Sequence, residues 1–153
     1  MSMPRWTAGL ALLLALAGQP GFADEADADR RVAARPSLTL IIDDLGQNPA
    51  RDRRVLQLPG PVALAILPDT RHAAELAEQA HRAGKTVMLH MPMAPAGGRF
   101  AWHPQLPHDE LARRLDAALA AVPHVRGLNN HMGSAMTEQP QAMTWLMGEL
   151  QRR

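Results

Sequence analysis

The chain has 153 residues, a formal net charge of +1 and no cysteine. That length suits one domain with a real core, while balanced charge and scarce aromatic residues argue against a nucleic-acid surface. Missing thiols exclude disulfides, thiolate metal sites and thiol catalysis, so a transition-metal site must draw on His, Asp, Glu or water.

The first 23 residues read as a cleavable secretory signal. Arg5 gives a positive start, Ala8 to Ala17 is an apolar run, and Gly21-Phe22-Ala23 presents small residues to a signal peptidase. The run is too short to span a bilayer comfortably, which leaves an uncleaved N-terminal anchor as the alternative. Cleavage after Ala23 would leave no stable membrane span and deliver the protein across the inner membrane to the periplasm. Residues 24–36 are polar and aperiodic, a lead-in to a domain over 37–153.

Leu38 to Ile42 is a continuous apolar run, as in a parallel strand buried on both faces. Asp43 and Asp44 follow it, and Gly46 marks a sharp turn. Adjacent carboxylates at a dry strand end repel and lose hydration, so such a pair calls for a cation or a shared proton. Asn48 and Pro49 suit the start of a helix to about Gln57, stopped by Pro59-Gly60-Pro61. Val62 to Leu67 is a second buried strand. Asp69 and Thr70 are cap candidates for a small-faced helix, which Gly84 ends. Thr86 to Leu89 is a third strand and delivers His90. From Met91 to about Leu106 the chain is too rich in Pro and Gly for a regular element, and a loop this long is usually functional. Trp102 within it is either a sugar-stacking platform or a loop anchor. Pro107 to Val122 is helical. Val125 to Asn130 is a fourth strand ending at His131, and a last helix runs from about Gln139.

Strand and helix alternate throughout, so the expected fold is α/β with a parallel sheet. The chain stops at Arg153 inside a helix, as if the domain were cut short. Open α/β folds and barrels carry their chemistry beyond the carboxyl ends of strands, where Asp44, His90 and His131 fall. One carboxylate and two imidazoles suit a divalent cation, with zinc the expected ion, and would leave positions open for substrate. Asp43 lies alongside to take a proton from water. Taken singly, such an Asp pair is as often a cap and a turn, and such a His is more often a structural residue. Asn129, Asn130 and Ser134 around His131 either orient it or hold a substrate hydroxyl; satisfying turn backbone is the plainer alternative.

Ile41-Ile42-Asp43-Asp44-Leu45-Gly46, Leu58-Pro59-Gly60-Pro61-Val62, Met88-Leu89-His90-Met91-Pro92-Met93 and Gly127-Leu128-Asn129-Asn130-His131-Met132-Gly133-Ser134 resemble the divergent polysaccharide deacetylase family of bacterial envelopes. The resemblance runs from about Leu38 to the end of the chain. It implies part of an irregular (β/α) barrel and a hydrolase that removes acetyl groups from a polysaccharide or peptidoglycan-type glycan with a divalent metal. It also implies Asp43 as catalytic base, Asp44 as metal ligand and His90 as the first histidine of an H-x-x-x-H motif. The second falls on Ala94, which cannot bind a metal, and His131 is expected to supply that ligand. Later family motifs would lie beyond Arg153. The competing expectation is a non-catalytic relative that binds glycan or an envelope protein.

Overall fold

A computed structural model of the protein describes residues 37–153. The expected signal segment and lead-in, residues 1–36, lie outside the described residues. Among the described residues, strands and helices alternate: β1 (Leu40–Leu45), α1 (Pro49–Leu56), β2 (Val62–Ile66), α2 (Ala73–Arg82), β3 (Thr86–Met93), α3 (His108–Ala121), β4 (Val125–Met132) and α4 (Pro140–Arg152). None of these helices is long and apolar enough to cross a membrane.

The strands form one parallel sheet in the order β1-β2-β3-β4. Each strand is added beside the one before it. Right-handed crossovers then keep successive helices on one face, which is the winding of a (β/α) barrel; a doubly wound sheet reverses its strand order. The helix-facing side carries the core. Val87, Leu89, Met91 and Met93 of β3 are buried, as are Leu76, Ala77 and Ala80 of α2 and Leu111, Leu115 and Ala118 of α3. Each fully buried Leu or Met contributes roughly 1.5–3 kcal/mol, and the alanines let the helix approach the sheet closely.

Two caps follow the sequence. Asn48 Oδ1 accepts the N–H groups of Ala50 and Arg51 at 3.1 Å each, with Pro49 opening α1. Gly84, at φ 69°, closes α2 by a Schellman arrangement: its N–H bonds the His81 carbonyl at 3.0 Å, and the Lys85 N–H bonds that of Ala80 at 2.9 Å. The expected cap at Asp69 or Thr70 does not form. His72 precedes α2 without a side-chain cap bond, and the Thr70 hydroxyl donates to the Leu67 carbonyl at 3.0 Å.

The strands differ from the sequence reading at their ends. β1 begins at Leu40 and continues through both aspartates to Leu45. Among the described residues it pairs only with β2, and Leu40 is 51% and Ile41 37% exposed instead of buried on both faces. β3 runs on through Met91, Pro92 and Met93, where the sequence suggested loop. Partners beside it sustain the extension: Pro92 pairs with His131 and Met93 with Met132. Pro92 has no N–H to give, but its carbonyl accepts the Trp102 N–H at 2.9 Å as the following loop folds back. That loop is packed, with Ala94, Ala96, Phe100, Ala101 and Trp102 all buried. Trp102 is 0% exposed and tilts against Trp145 at 5.6 Å, so it is an anchor and not a stacking platform. Arg114 ties the loop to α3 by donating to the Ala101 carbonyl and to Glu110. The same guanidinium holds the Glu110 carboxyl below the ordinary carboxylate range, so this contact favours folding above that range and is lost as pH falls below it, through the lowered folded-state value.

After β1 the chain turns at Gly46, whose φ is 102°. A Cβ there would meet Thr70 Oγ1 at 2.2 Å. Gly46→Ala therefore combines left-handed strain with a clash against the segment entering α2. It is expected to lower unfolding free energy by roughly 2–4 kcal/mol, read as a lower urea midpoint at unchanged slope.

Candidate functional site

Directly paired residues of a parallel ladder share a face, and residues along a strand alternate faces. His90 pairs with Asn129 and Pro92 with His131, so His90, Asn129 and His131 share the face opposite Val87, Leu89 and Met91. Across β2 the same face continues through Ala63 and Ala65, paired with Ile41 and Met88 respectively. β1 breaks register between Ile42, paired with Leu64, and Leu45, paired with Ile66. Asp43 and Asp44 occupy a stretch that one β2 residue, Ala65, spans, and this bulge re-aims both carboxylates. Asp44 has φ 58°, a left-handed conformation that Asp tolerates better than most residues.

The outcome is a cluster drawn from three strands. Asp44 Oδ1 lies 3.2 Å from His90 Nε2 and 2.9 Å from His131 Nδ1, and the two imidazole nitrogens are 3.3 Å apart. One ligating atom from each of these residues lies within 4.8 Å of the others. His90 is buried at 3% side-chain exposure and His131 half-buried, while the Asp44 side chain is 53% exposed. The expectation that both carboxylates lose their hydration is thus corrected: Asp43 and Asp44 face solvent, on a strand that among the described residues has a neighbour on one side. Convergence of unlike donors, rather than desolvation, distinguishes the site. An oxygen and two nitrogens with open sides match the donor set of a zinc-type divalent cation, so the residues fit such an ion.

Asn129 accompanies the cluster differently from expectation. Its Nδ2 donates to Asp43 Oδ1 at 2.8 Å, and its Oδ1 lies 2.8 Å from His90 Nδ1. It touches His90 and Asp43 where the sequence suggested His131. Asn130 donates to the Met132 carbonyl, shaping the turn after β4, and both Asn130 and Ser134 are exposed. Ala94, at the second position of the H-x-x-x-H pattern, is buried; its N–H bonds the Trp102 carbonyl at 2.7 Å and its carbonyl takes the Ala135 N–H at 3.1 Å. It serves the loop.

Sequence reasoning missed what holds the carboxylate turn. Asp52, in the first turn of α1, is only 2% exposed. Its Oδ2 accepts the Gly46 N–H at 2.9 Å, and its Oδ1 accepts Arg51 Nε at 3.2 Å. Arg51 also donates through Nη2 to the Asp44 carbonyl. A helix start thereby grips the backbone on either side of Leu45. The signal available was an acidic residue in a first helical turn, which reads as an ordinary dipole contact.

Residues 40–153 match the divergent polysaccharide deacetylase family, in agreement with the resemblance read from the motifs. The uncharacterized protein YibQ of Escherichia coli (strain K12) is 39% identical over 119 residues, covering 75% of this chain and 37% of that protein. An uncharacterized protein of Haemophilus influenzae is 33% identical over 124 residues, covering 78% of this chain and 44% of the relative. The chain thus spans less than half the length of these curated relatives. The crystal structure of an uncharacterized protein from Agrobacterium tumefaciens C58 superposes with a TM-score of 0.67 at 19% identity, over 73% of this chain and 48% of that one. This likeness supports the barrel-type fold.

Removing the Asp52 carboxylate leaves the Gly46 N–H without its partner. Asp52→Ala is expected to cost about 1–3 kcal/mol locally, seen as roughly 10- to 100-fold faster hydrogen exchange at the Gly46 amide. An unchanged exchange rate would show that Asp52 does not hold the turn.

Proposed function

The chain belongs to the divergent polysaccharide deacetylase family, and from that premise we propose that it is a metal-dependent hydrolase removing acetyl groups from an envelope glycan. The observation that carries this reading is the convergence of Asp44, His90 and His131 with ligating atoms within 4.8 Å, beside Asp43. Those three side chains would hold the cation, with Zn²⁺ the ion their donors suit best. A divalent cation supplies Lewis acidity there, polarising a carbonyl and making water easier to deprotonate.

The remaining roles fall to the chain itself. Asp43 emerges on the same bulge and faces solvent, so its carboxylate is placed to accept a proton from the attacking water. The water oxygen bonds to the acetyl carbon, and the bond from that carbon to the sugar nitrogen or oxygen breaks. The proton taken by Asp43 passes to the departing sugar atom, leaving acetate and a free amine or hydroxyl. Asn129 and His90 hold Asp43 and the cation site in register. Asn130 and Ser134, exposed just beyond β4, are the groups available to a glycan hydroxyl. The leader-like sequence of residues 1–23 supports a periplasmic place of action, where such glycans are found.

His90→Ala and His131→Ala are each expected to abolish most zinc binding by the purified protein; two variants that bind zinc like the parent would remove the metal reading. Asp43→Asn should keep zinc binding while acetate release falls by roughly two to four orders of magnitude. A zinc-loaded parent that releases no acetate from any acetylated glycan tried would favour a non-catalytic, glycan-binding or envelope-protein-binding role instead. For export, intact mass of the protein recovered from the periplasm should correspond to a chain beginning at Asp24, and retention of Met1 would contradict cleavage.

A further inference from the structure

The Asn129 amide bridges two groups of unlike chemistry. Its Nδ2 donates to Asp43 Oδ1 at 2.8 Å, and its Oδ1 lies 2.8 Å from His90 Nδ1. An ionised carboxylate only accepts hydrogen bonds, so Asp43 admits the NH₂ end of the amide alone. The two ends of an amide are fixed relative to each other, and the oxygen must then face His90. That oxygen cannot donate. The proton in this contact therefore belongs to His90 Nδ1, and in the neutral ring Nε2 keeps its lone pair. Nε2 is the atom 3.2 Å from Asp44 Oδ1 and 3.3 Å from His131 Nδ1, facing into the cluster.

Asp44 pulls in the opposite sense, because it would accept a proton from Nε2. Two observations decide against it. His90 is 3% exposed, so the alternative tautomer would press its Nδ1 lone pair against the Asn129 oxygen with no water to intervene. Asp44 is 53% exposed and has His131 Nδ1 at 2.9 Å, so it is satisfied by solvent and by a second imidazole.

We propose that Asn129 is a positioning residue that fixes His90 in the Nδ1–H tautomer, with Asp43 setting the direction of the amide. His90 then presents Nε2 as a ready electron-pair donor. The use of that lone pair by a cation rests on the metal reading above; the tautomer does not. One amide thereby makes the group proposed as base and the group proposed as ligand depend on each other, across β2.

The test is a long-range ¹H–¹⁵N correlation spectrum of histidine-labelled protein without metal, at about pH 9, where imidazoles are neutral. His90 is expected to show the Nδ1–H pattern. Asn129→Leu removes both ends of the bridge and should lose that pattern, with zinc affinity roughly 10- to 100-fold weaker. Should Asn129→Leu fail to fold, Asp43→Leu makes the same point, because an amide with no carboxylate to face is free to turn over. Asp43→Asn retains an acceptor oxygen for Asn129 Nδ2 and should keep the Nδ1–H pattern. A parent with the proton on Nε2 would overturn the proposal, as would leucine variants that keep Nδ1–H. A parent with Nδ1–H, lost in the leucine variants, but with no zinc binding in any form would uphold the tautomer assignment and overturn the metal reading instead.

Discussion

The site depends on the curvature of the sheet. In a flat sheet, strands lie about 4.8 Å apart, so β1 and β4 would be separated by roughly 14 Å. Two short side chains cannot bridge that gap, yet Asp43 on β1 and Asn129 on β4 share a hydrogen bond of 2.8 Å. The sheet must therefore curl toward the face that carries them. Ala63 and Ala65 on β2 make this possible, because larger side chains there would fill the concavity. A barrel-like arc and the assembly of the cluster are one physical fact. The core on the other face enforces it, since helices packed side by side on one side of a sheet favour bending away from them.

Curvature brings the strands near each other, but the bulge in β1 chooses which side chains meet. Without the extra residue, strict alternation would send Asp44 to the helix side with Ile42. The left-handed turn at Asp44 redirects it beside Asp43, a conformation that costs about 1–2 kcal/mol in a residue with a Cβ. Asp52 and Arg51 hold the turn from α1, which is itself held in place by the Asn48 cap. A line of ordinary local interactions thus runs from a helix cap to the aim of a carboxylate.

Much of this was legible in the sequence, and the rest was not for definite reasons. Apolar runs and helical stripes gave the four strands and the later helices, because burial on one face leaves a period that composition cannot hide, while the first helix was marked by Asn48 and Pro49 at its start. Asn48 and Gly84 marked helix ends because each does something few residues can. Asp44, His90 and His131 were found by their common position near strand ends, and the structure brings them together. The bulge was not legible, since it depends on which β2 residue stands opposite. The continuation of β3 through Pro92 was hidden because proline normally ends a strand, and it is sustained by β4 and Trp102, both further along the chain. The partners of Asn129 lie on two other strands, so no window along the chain contained them. Asp52 was overlooked because its burial is set by the turn it supports.

The backbone at residue 44 has one more consequence, for how this position can drift over evolutionary time. Glycine would accept the dihedral angles and lose the oxygen donor. Glutamate would keep a carboxylate but move it outward by a methylene and fit the left-handed conformation poorly. Asparagine would keep shape and backbone but forfeit the charge. Each single replacement satisfies one demand and fails another, so the neutral network around this residue is nearly closed. Under the proposed metal role, a lineage that gives up the cation has no such constraint, and asparagine or glycine at this position would be the mark it leaves.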